Sequence, residues 1–467
     1  MSRKKSDFKD LIIRKKTRNN KSLKEKTKKI SVIEGSFYSV HEGFGLKYIT
    51  PYALAIGKNN PHVNAFIGFL NSFPTLIGNL SQIYTIKFMN KHKRKKIILI
   101  GVILQAILWL GVIFAGSLFF LFKFNSNFSL TALTIFYTLL VLFGSFIVPA
   151  WTSLMKDIVI NKRGEYFGNR NRIIGIFSIV SSLIAGFILD FFEVNILFIG
   201  FFILFFTAFI FRTISGILFL AHYESKLKIK KESYFSFLDF LKKGNKSNFL
   251  KFTIFISLFI FSTYIAAPFF AVYMLEDLGF SYTKWIMIGM VGSLSSLFFM
   301  PLIGKFADKY GSIKILKITG VFIPFFPFFW VLTYFFNPNS YKLVIFLFTL
   351  EFFAGILWAG FNLAYNNFIY DTVTREKTAL CIAYFNVLHG LGIFIGSMLG
   401  GLILSFDFKF FIFSPILFVI LLSGVMRALS YFIMMPKIKE VREVEEFSLR
   451  TNLKTKLKEN LRVFNSH

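Results

Sequence analysis

Gly304-Lys305-Phe306-Ala307-Asp308-Lys309-Tyr310-Gly311-Ser312-Ile313-Lys314 is a short charged turn between two long apolar runs. Its glycines let two helices reverse tightly at a membrane surface, and its single carboxylate can face the positive N-terminal end of another helix. Outward from this turn the chain stays apolar in both directions. Of its 467 residues 55% are hydrophobic and 67 are Phe, and the mean hydropathy of +0.61 lies outside the range of soluble domains. Apolar runs of about 20 residues predict about twelve membrane spans, the first near residues 32–57 and the last near 410–435. The first 30 residues are polar and basic, without the short apolar core of a cleavable signal peptide, and are expected to be disordered. The single cysteine, Cys381, rules out an intramolecular disulfide.

A net charge of +30 raises nucleic acid as a partner, but topology accounts for it better. Alternate assignment of loops puts the N-terminal tail, Lys91 to Lys96, Lys156 to Arg172, the central loop, Lys305 to Lys314, Arg375 to Lys377 and the C-terminal tail on one side. The other side carries only isolated cations such as Lys58, Lys123, Lys284, Lys342 and Lys409. This positive-inside pattern predicts a multi-pass protein of the cytoplasmic membrane with both termini cytoplasmic and anionic lipid at the basic face.

The chain also repeats itself. Asp157 and Asp371 end matching spans 214 residues apart, Ala185-Gly186 answers Gly400-Gly401 at 215, and Phe211-Arg212 answers Met426-Arg427 at 215. Three landmarks at nearly one offset are what a duplicated six-helix unit requires. The spacing Gly304-x-x-x-Asp308-x-x-Gly311 resembles the loop signature of the major facilitator superfamily (MFS) of secondary transporters. The run from Asp157 through Arg163 to Arg170 and Arg172 is similar to the loop after the fourth helix in prokaryotic members. In the first half the signature is degenerate, since Asn90 falls where Asp308 stands and the glycines are missing. Gly175 to Gly186 contains no proline, so the signature of the drug-antiporter branch is absent.

The resemblance implies an all-α polytopic membrane protein of about twelve transmembrane helices in two pseudo-symmetric six-helix bundles. On this sequence the parts are a basic tail (1–30), a first bundle (31–222), a connector with an amphipathic helix around Tyr234 to Leu241 (223–248), a second bundle (249–436) and a tail (437–467). The connector is expected to lie on the membrane surface as a strut. Family precedent places substrate between the halves, lined by spans 1, 4, 7 and 10. It further implies that Asp308 caps the cytoplasmic end of span 5, near Arg170 or Arg172, when that side is closed.

Two polar stripes emerge from helical spacing alone. In span 1 they are Glu34, Tyr38, His41, Glu42, Gly45 and Tyr48; in span 10, Glu351, Gly355, Trp358, Asn362, Tyr365 and Asn366. A charge at mid-bilayer costs about 2.5 to 3.5 kcal/mol on insertion scales, so these groups are expected to face protein or water. Tyr38, His41, Glu42, Tyr264, Glu351, Trp358 and Asn362 are the candidates for a substrate or proton site, with Glu42 or Glu351 as carrier and His41 as relay. Gly304, Asp308, Gly311, Asp157, Arg163, Arg170, Arg172 and Asp371 are the gate candidates. Arg212 and Arg427 are expected to be structural, snorkelling or pairing with Asp157 and Asp371. Asn386 and His389 of span 11 read as packing groups.

The function expected is secondary active transport of a small solute by alternating access, coupled to protons, by a monomer. A lipid flippase on the same fold and a non-transporting sensor or scaffold are the alternatives. The sequence contains no phosphate-cradling loop, metal-ligand cluster or nucleophile elbow, so an enzyme, a metal or a cofactor is not expected.

Overall fold

The computed structural model describes residues 2–89, 91–160, 163–193, 196–224, 237–242, 247–373, 378–406 and 414–445; of residues 2–21, 86, 163, 164, 193, 378 and 379 only the backbone is described. Among these, every regular element is helical. Span 1 is α1 (Ser2–Phe44) and α2 (Ile49–Ile56), joined by a 3-10 turn at Leu46–Tyr48. Spans 2 and 3 are α3 (Val63–Met89) and α4 (Arg94–Phe120), and span 4 is α5 (Ser126–Phe146) with α6 (Val148–Ile158). Spans 5 and 6 are α7 (Arg163–Glu193) and α8 (Leu197–Phe219), followed by the short α9 (Phe237–Lys242). Span 7 is α10 (Asn248–Tyr264) and α11 (Phe269–Val272), and span 8 is α12 (Tyr282–Tyr310). Span 9 is α13 (Ser312–Phe322) with α14 (Phe326–Val331); spans 10 to 12 are α15 (Tyr341–Thr372), α16 (Thr378–Leu404) and α17 (Pro415–Met434). Ten of the twelve crossings are long and apolar enough to qualify on length and composition alone. The other two, spans 1 and 2, carry more polar groups.

Local sequence sets the helix ends. Asn125, Ser247, Ser281 and Ser414 each accept a backbone N–H from the first turn of the helix they precede, and Pro415 follows in the first helical position. Span 7 breaks before Pro268, and span 9 breaks at Pro324 and Pro327. Pro74 does not break α3, which runs unbroken through it, because neighbouring spans hold a membrane helix in place around a missing donor.

The expected disorder of residues 1–30 gives way to helix. The lysine- and arginine-rich segment continues α1, since a helix already nucleated in the membrane extends at little cost. Its end nearest the membrane is tied down: Lys24 Nζ donates to Asp157 O at 2.8 Å, Tyr166 Oη donates to Lys28 O at 3.0 Å, and buried Thr27 accepts from Tyr223 N at 2.9 Å. In the connector α9 buries Phe240 against Phe249 and Tyr384 and leaves Leu238 exposed, so this piece rests on the second bundle; Tyr234 to Ser236 lie outside the described residues.

In the first bundle α1 packs on α7 and α8, α4 on α5 and α8, and α3 on α5. The second bundle repeats this with α10 on α16 and α17 and α12 on α15. Two seams join them, α3 against α16 and α7 against α12. The seams are tightest away from the basic loops. There Asp190 of α7 accepts the backbone N–H groups of Tyr282 and Thr283 at the start of α12, at 2.7 and 3.0 Å, and Tyr48 meets Trp285 edge-on. Midway, Phe69 and Phe73 meet Phe394, and lower still Asn386 donates to Gln82 at 3.1 Å. Nearer the basic loops Gly168, Asn169 and Arg172 of α7 and Asn362 and Asn366 of α15 are exposed, and nothing lies within 4 Å of where a Cβ on Gly168 would stand.

Candidate functional site

The polar face of span 1 meets spans 3, 5 and 6 in one buried network. Arg212, 2% exposed, donates from Nε to Gln105 Oε1 at 2.7 Å and from Nη1 to Ser215 Oγ at 3.2 Å. Its guanidinium lies 4.8 Å from the centre of the Tyr38 ring, within cation-π range. Ser215 donates to Glu34 Oε1 at 2.8 Å, and Glu34 Oε2 stands 3.8 Å from Arg170. Arg170 also donates to Ser31 O at 3.1 Å and stacks on Trp151 at 4.8 Å. Gly35 makes the last approach feasible, since a Cβ there would fall 2.5 Å from Arg170 Nη2. At the other end Tyr38 donates to Glu42 Oε1 at 2.7 Å, with Lys47 near enough to act on Glu42 electrostatically.

Two arginines and two carboxylates therefore interleave along one face. A buried charge is stable only when paired and hydrogen-bonded, and breaking such a pair costs about 3–5 kcal/mol. Arg212 is held by these contacts, and not by the expected pairing. Asp157 instead pairs with Arg94 at 2.9 Å, and Asp371 lies 3.9 Å from Arg442. Both aspartates sit at helix ends near the basic loops and pair neither with Arg212 nor with Arg427. Arg427 pairs with neither; its Nε donates to Ser423 Oγ at 3.1 Å.

His41 departs from the expected cavity face. It is 0% exposed, its ring edge-on to Trp109 of α4 at 5.5 Å, and Nε2 has no hydrogen-bond partner. Helical spacing alone groups it with Glu42, but the helix turns it toward span 3. Glu42 stays partly exposed.

In the second bundle the span 10 stripe divides. Glu351 lies against the bare backbone of Gly292 in α12, with no hydrogen bond or ion pair among the described residues. Trp358 packs edge-on to Phe259 of α10 at 6.2 Å, and Asn362 is exposed. Tyr264 of span 7 interacts electrostatically with Tyr365 and with Tyr137 of span 4. Spans 4, 7 and 10 thus bring phenol groups into one neighbourhood.

The turn that begins at Gly304 is occupied from its own side. Gly311 has φ of +87°, a conformation other residues rarely adopt, and Glu440 of the C-terminal segment lies against it while accepting from Ile313 N at 2.9 Å. Glu445 pairs with Lys309 at 3.3 Å. Asp308 interacts with Asp371 of its own bundle, and Arg170 is held by Glu34, so no Asp308–Arg170 contact forms in this arrangement. Arg172 is exposed; the side chain of Arg163 and residues Arg375 to Lys377 lie outside the described residues.

Gln105, Ser215, Tyr137 and Asp190 escaped the sequence reading. A lone Gln in the apolar run of span 3 and a lone Asp at the end of span 5 were the available signals. Glu34 was seen in the stripe but not placed at the site.

The model of the Major Facilitator Superfamily matches residues 43–369. No curated protein is similar enough in sequence to match. Among solved structures, the inward-facing crystal structure of a bacterial homologue of the iron transporter ferroportin is 12% identical, with a TM-score of 0.69 over 89% of this chain and 99% of that one. The nucleoside transporter NupG is 15% identical with a TM-score of 0.63, covering 88% and 99%. The xylose transporter XylE from E. coli, in a partially occluded inward-open form, is 14% identical with a TM-score of 0.61, covering 91% and 100%. The matched family model spans well over half of the chain, and these likenesses carry the fold: the chain belongs to the Major Facilitator Superfamily and is a multi-pass membrane transporter.

Proposed function

We propose that the protein is a proton-coupled secondary transporter that moves a small solute by alternating access. The observation that carries this reading is Glu351, an intramembrane carboxylate with no cation beside it among the described residues, set between α12 and α15. A lone carboxylate at such depth is costly to keep ionised, so a proton or a cationic solute is the natural companion. Glu42 differs, because Tyr38, Arg212 and Lys47 stabilise its charge. Glu42 and Tyr38, with Tyr264, Trp358 and Asn362, then serve as solute contacts, and Glu351 as the proton carrier.

The Lys- and Arg-rich loops make the basic end cytoplasmic, with anionic lipid around it, and the gap is open on that side. Closing it would rock the bundles about the two seams and bring Asp308 toward span 5. We read the unit as a monomer.

The test is uptake into proteoliposomes, with the solute chosen by thermal-shift screening of a broad metabolite panel. An imposed pH gradient should drive accumulation, and Glu351→Gln should abolish accumulation while leaving downhill flux. Accumulation that ignores the gradient, or that survives Glu351→Gln, removes proton coupling. Solute flux absent alongside lipid scrambling would turn the reading to a flippase.

A further inference from the structure

Spans 6 and 12 carry arginines at matching places, Arg212 and Arg427, each followed three residues later by a serine. Both are buried, at 2% and 4% exposed. Their surroundings differ in one respect. Ser215, beside Arg212, donates to the carboxylate of Glu34 on span 1. Ser430, beside Arg427, meets Ser262 Oγ at 2.9 Å on span 7, and Ser423 donates to Ser262 O at 2.6 Å. Where the first bundle presents an acid to its arginine, the second presents a hydroxyl.

Among the described residues no acidic group is close enough to act on Arg427, and its only hydrogen bond is Nε to Ser423; Arg212 likewise keeps one unbonded nitrogen, Nη2, but has an acid nearby. A guanidinium keeps its charge at every accessible pH and presents five donors in a rigid fork. Left unpaired in a protein interior it is strongly unfavourable. Two neighbouring Nη groups with free protons fit a halide or the two oxygens of a carboxylate. Arg427 lies seven residues before Met434, the basic end of α17, about 10 Å away along the helix axis, and the cationic loops there concentrate small anions.

We propose that Arg427 binds a small monovalent anion, a halide or a carboxylate, taken from solution at the basic end in place of the internal carboxylate that Glu34 provides in the first bundle. Ser423, Ser262 and Ser430 cluster around it and can donate to an anion held there once their present partners are exchanged. This inference does not depend on the role given to Glu351.

The full-length protein, purified in detergent, is titrated with sodium chloride, bromide or formate, and isethionate, too bulky for a buried site, holds the ionic strength constant. Thermal unfolding of the wild type should move up by several degrees and saturate. Arg427→Met should abolish the response, and so should Ser262→Asp, which supplies the missing carboxylate from within. Response to halide without any solute present assigns the site to free anions. Response to formate alone assigns it to the carboxylate of an organic solute. Should Arg427→Met not fold, radiolabelled chloride and formate binding to wild type and Ser262→Asp carries the same comparison. A wild type that neither shifts nor retains label with any of these anions overturns the proposal.

Discussion

The two bundles hold the same arginine at the same place and neutralise it by different means. Around Arg212 the charges are internal: Glu34 and Arg170 lie on one side, and Tyr38 and Glu42 on the other. Around Arg427 the hydrogen-bonding groups among the described residues are serines. Conversely, Glu351 of the second bundle has no arginine near it among the described residues. Helix-scale geometry is therefore shared between the halves, while the polar chemistry is not. In the first bundle the buried arginines and carboxylates lie together; in the second, among the described residues, Arg427 and Glu351 lie apart and neither has an ion-pair partner.

Substituting the two arginines should break this comparison most visibly. Arg212→Met leaves Glu34 with Ser215 and the longer contact to Arg170, removes the buried cation nearest Glu34 and Glu42, and should lower stability by about 3 kcal/mol. Arg427→Met removes an unpaired charge and should be neutral or stabilising in buffer free of small anions. Equal losses in thermal unfolding of the two variants would end the distinction.

Acid should also strain the first bundle. His222, buried just beyond span 6 and near Lys95 and Arg170, is pushed down to about 4, first by burial and then by those cations. The folded protein then resists a proton that the unfolded chain accepts below about 6.5. Stability is fully present above that pH and falls as the pH drops toward 4, by up to about 3 kcal/mol. His222→Phe should flatten this part of the stability curve; an unchanged curve would mean that the histidine does not titrate alone.

At the seam, Asp190→Asn weakens the charge-assisted bonds to Tyr282 and Thr283. A loss of about 1.4 kcal/mol changes the populations about tenfold toward opening at that end. Labelling of a cysteine placed at Trp285 would report it, and unaltered reactivity would show that the aromatic contacts suffice. The smallest effect is expected at the C-terminal segment. Glu440→Gln removes the charge from a partly exposed acceptor of Ile313 N, worth about 1 kcal/mol or less, so thermal unfolding should shift by only a degree or two.

Much of the architecture was legible. Apolar runs, prolines and capping serines are local features, and the 215-residue repeat announced the duplication before any contact was known. The polar stripe of span 1 was legible too, but not its direction around the helix. His41 and Glu42 are neighbours in sequence and about 100° apart on the helix, enough to turn one toward Trp109 and leave the other partly open. The expected partners of the arginines failed because an aspartate close in sequence pattern to an arginine need not lie at its depth. Asp157, at a helix end, finds the buried Arg94, whereas Arg212 is linked through Ser215 to Glu34, nearly 180 positions earlier.

By itself the sequence determined that the chain crosses a membrane about twelve times in two related bundles, because hydrophobicity and helical periodicity act over short stretches of chain. Only the tertiary structure decided which buried charges meet. Ion pairing depends on the height and rotation of packed helices, where a shift of one residue, about 1.5 Å and 100°, replaces a carboxylate by a serine.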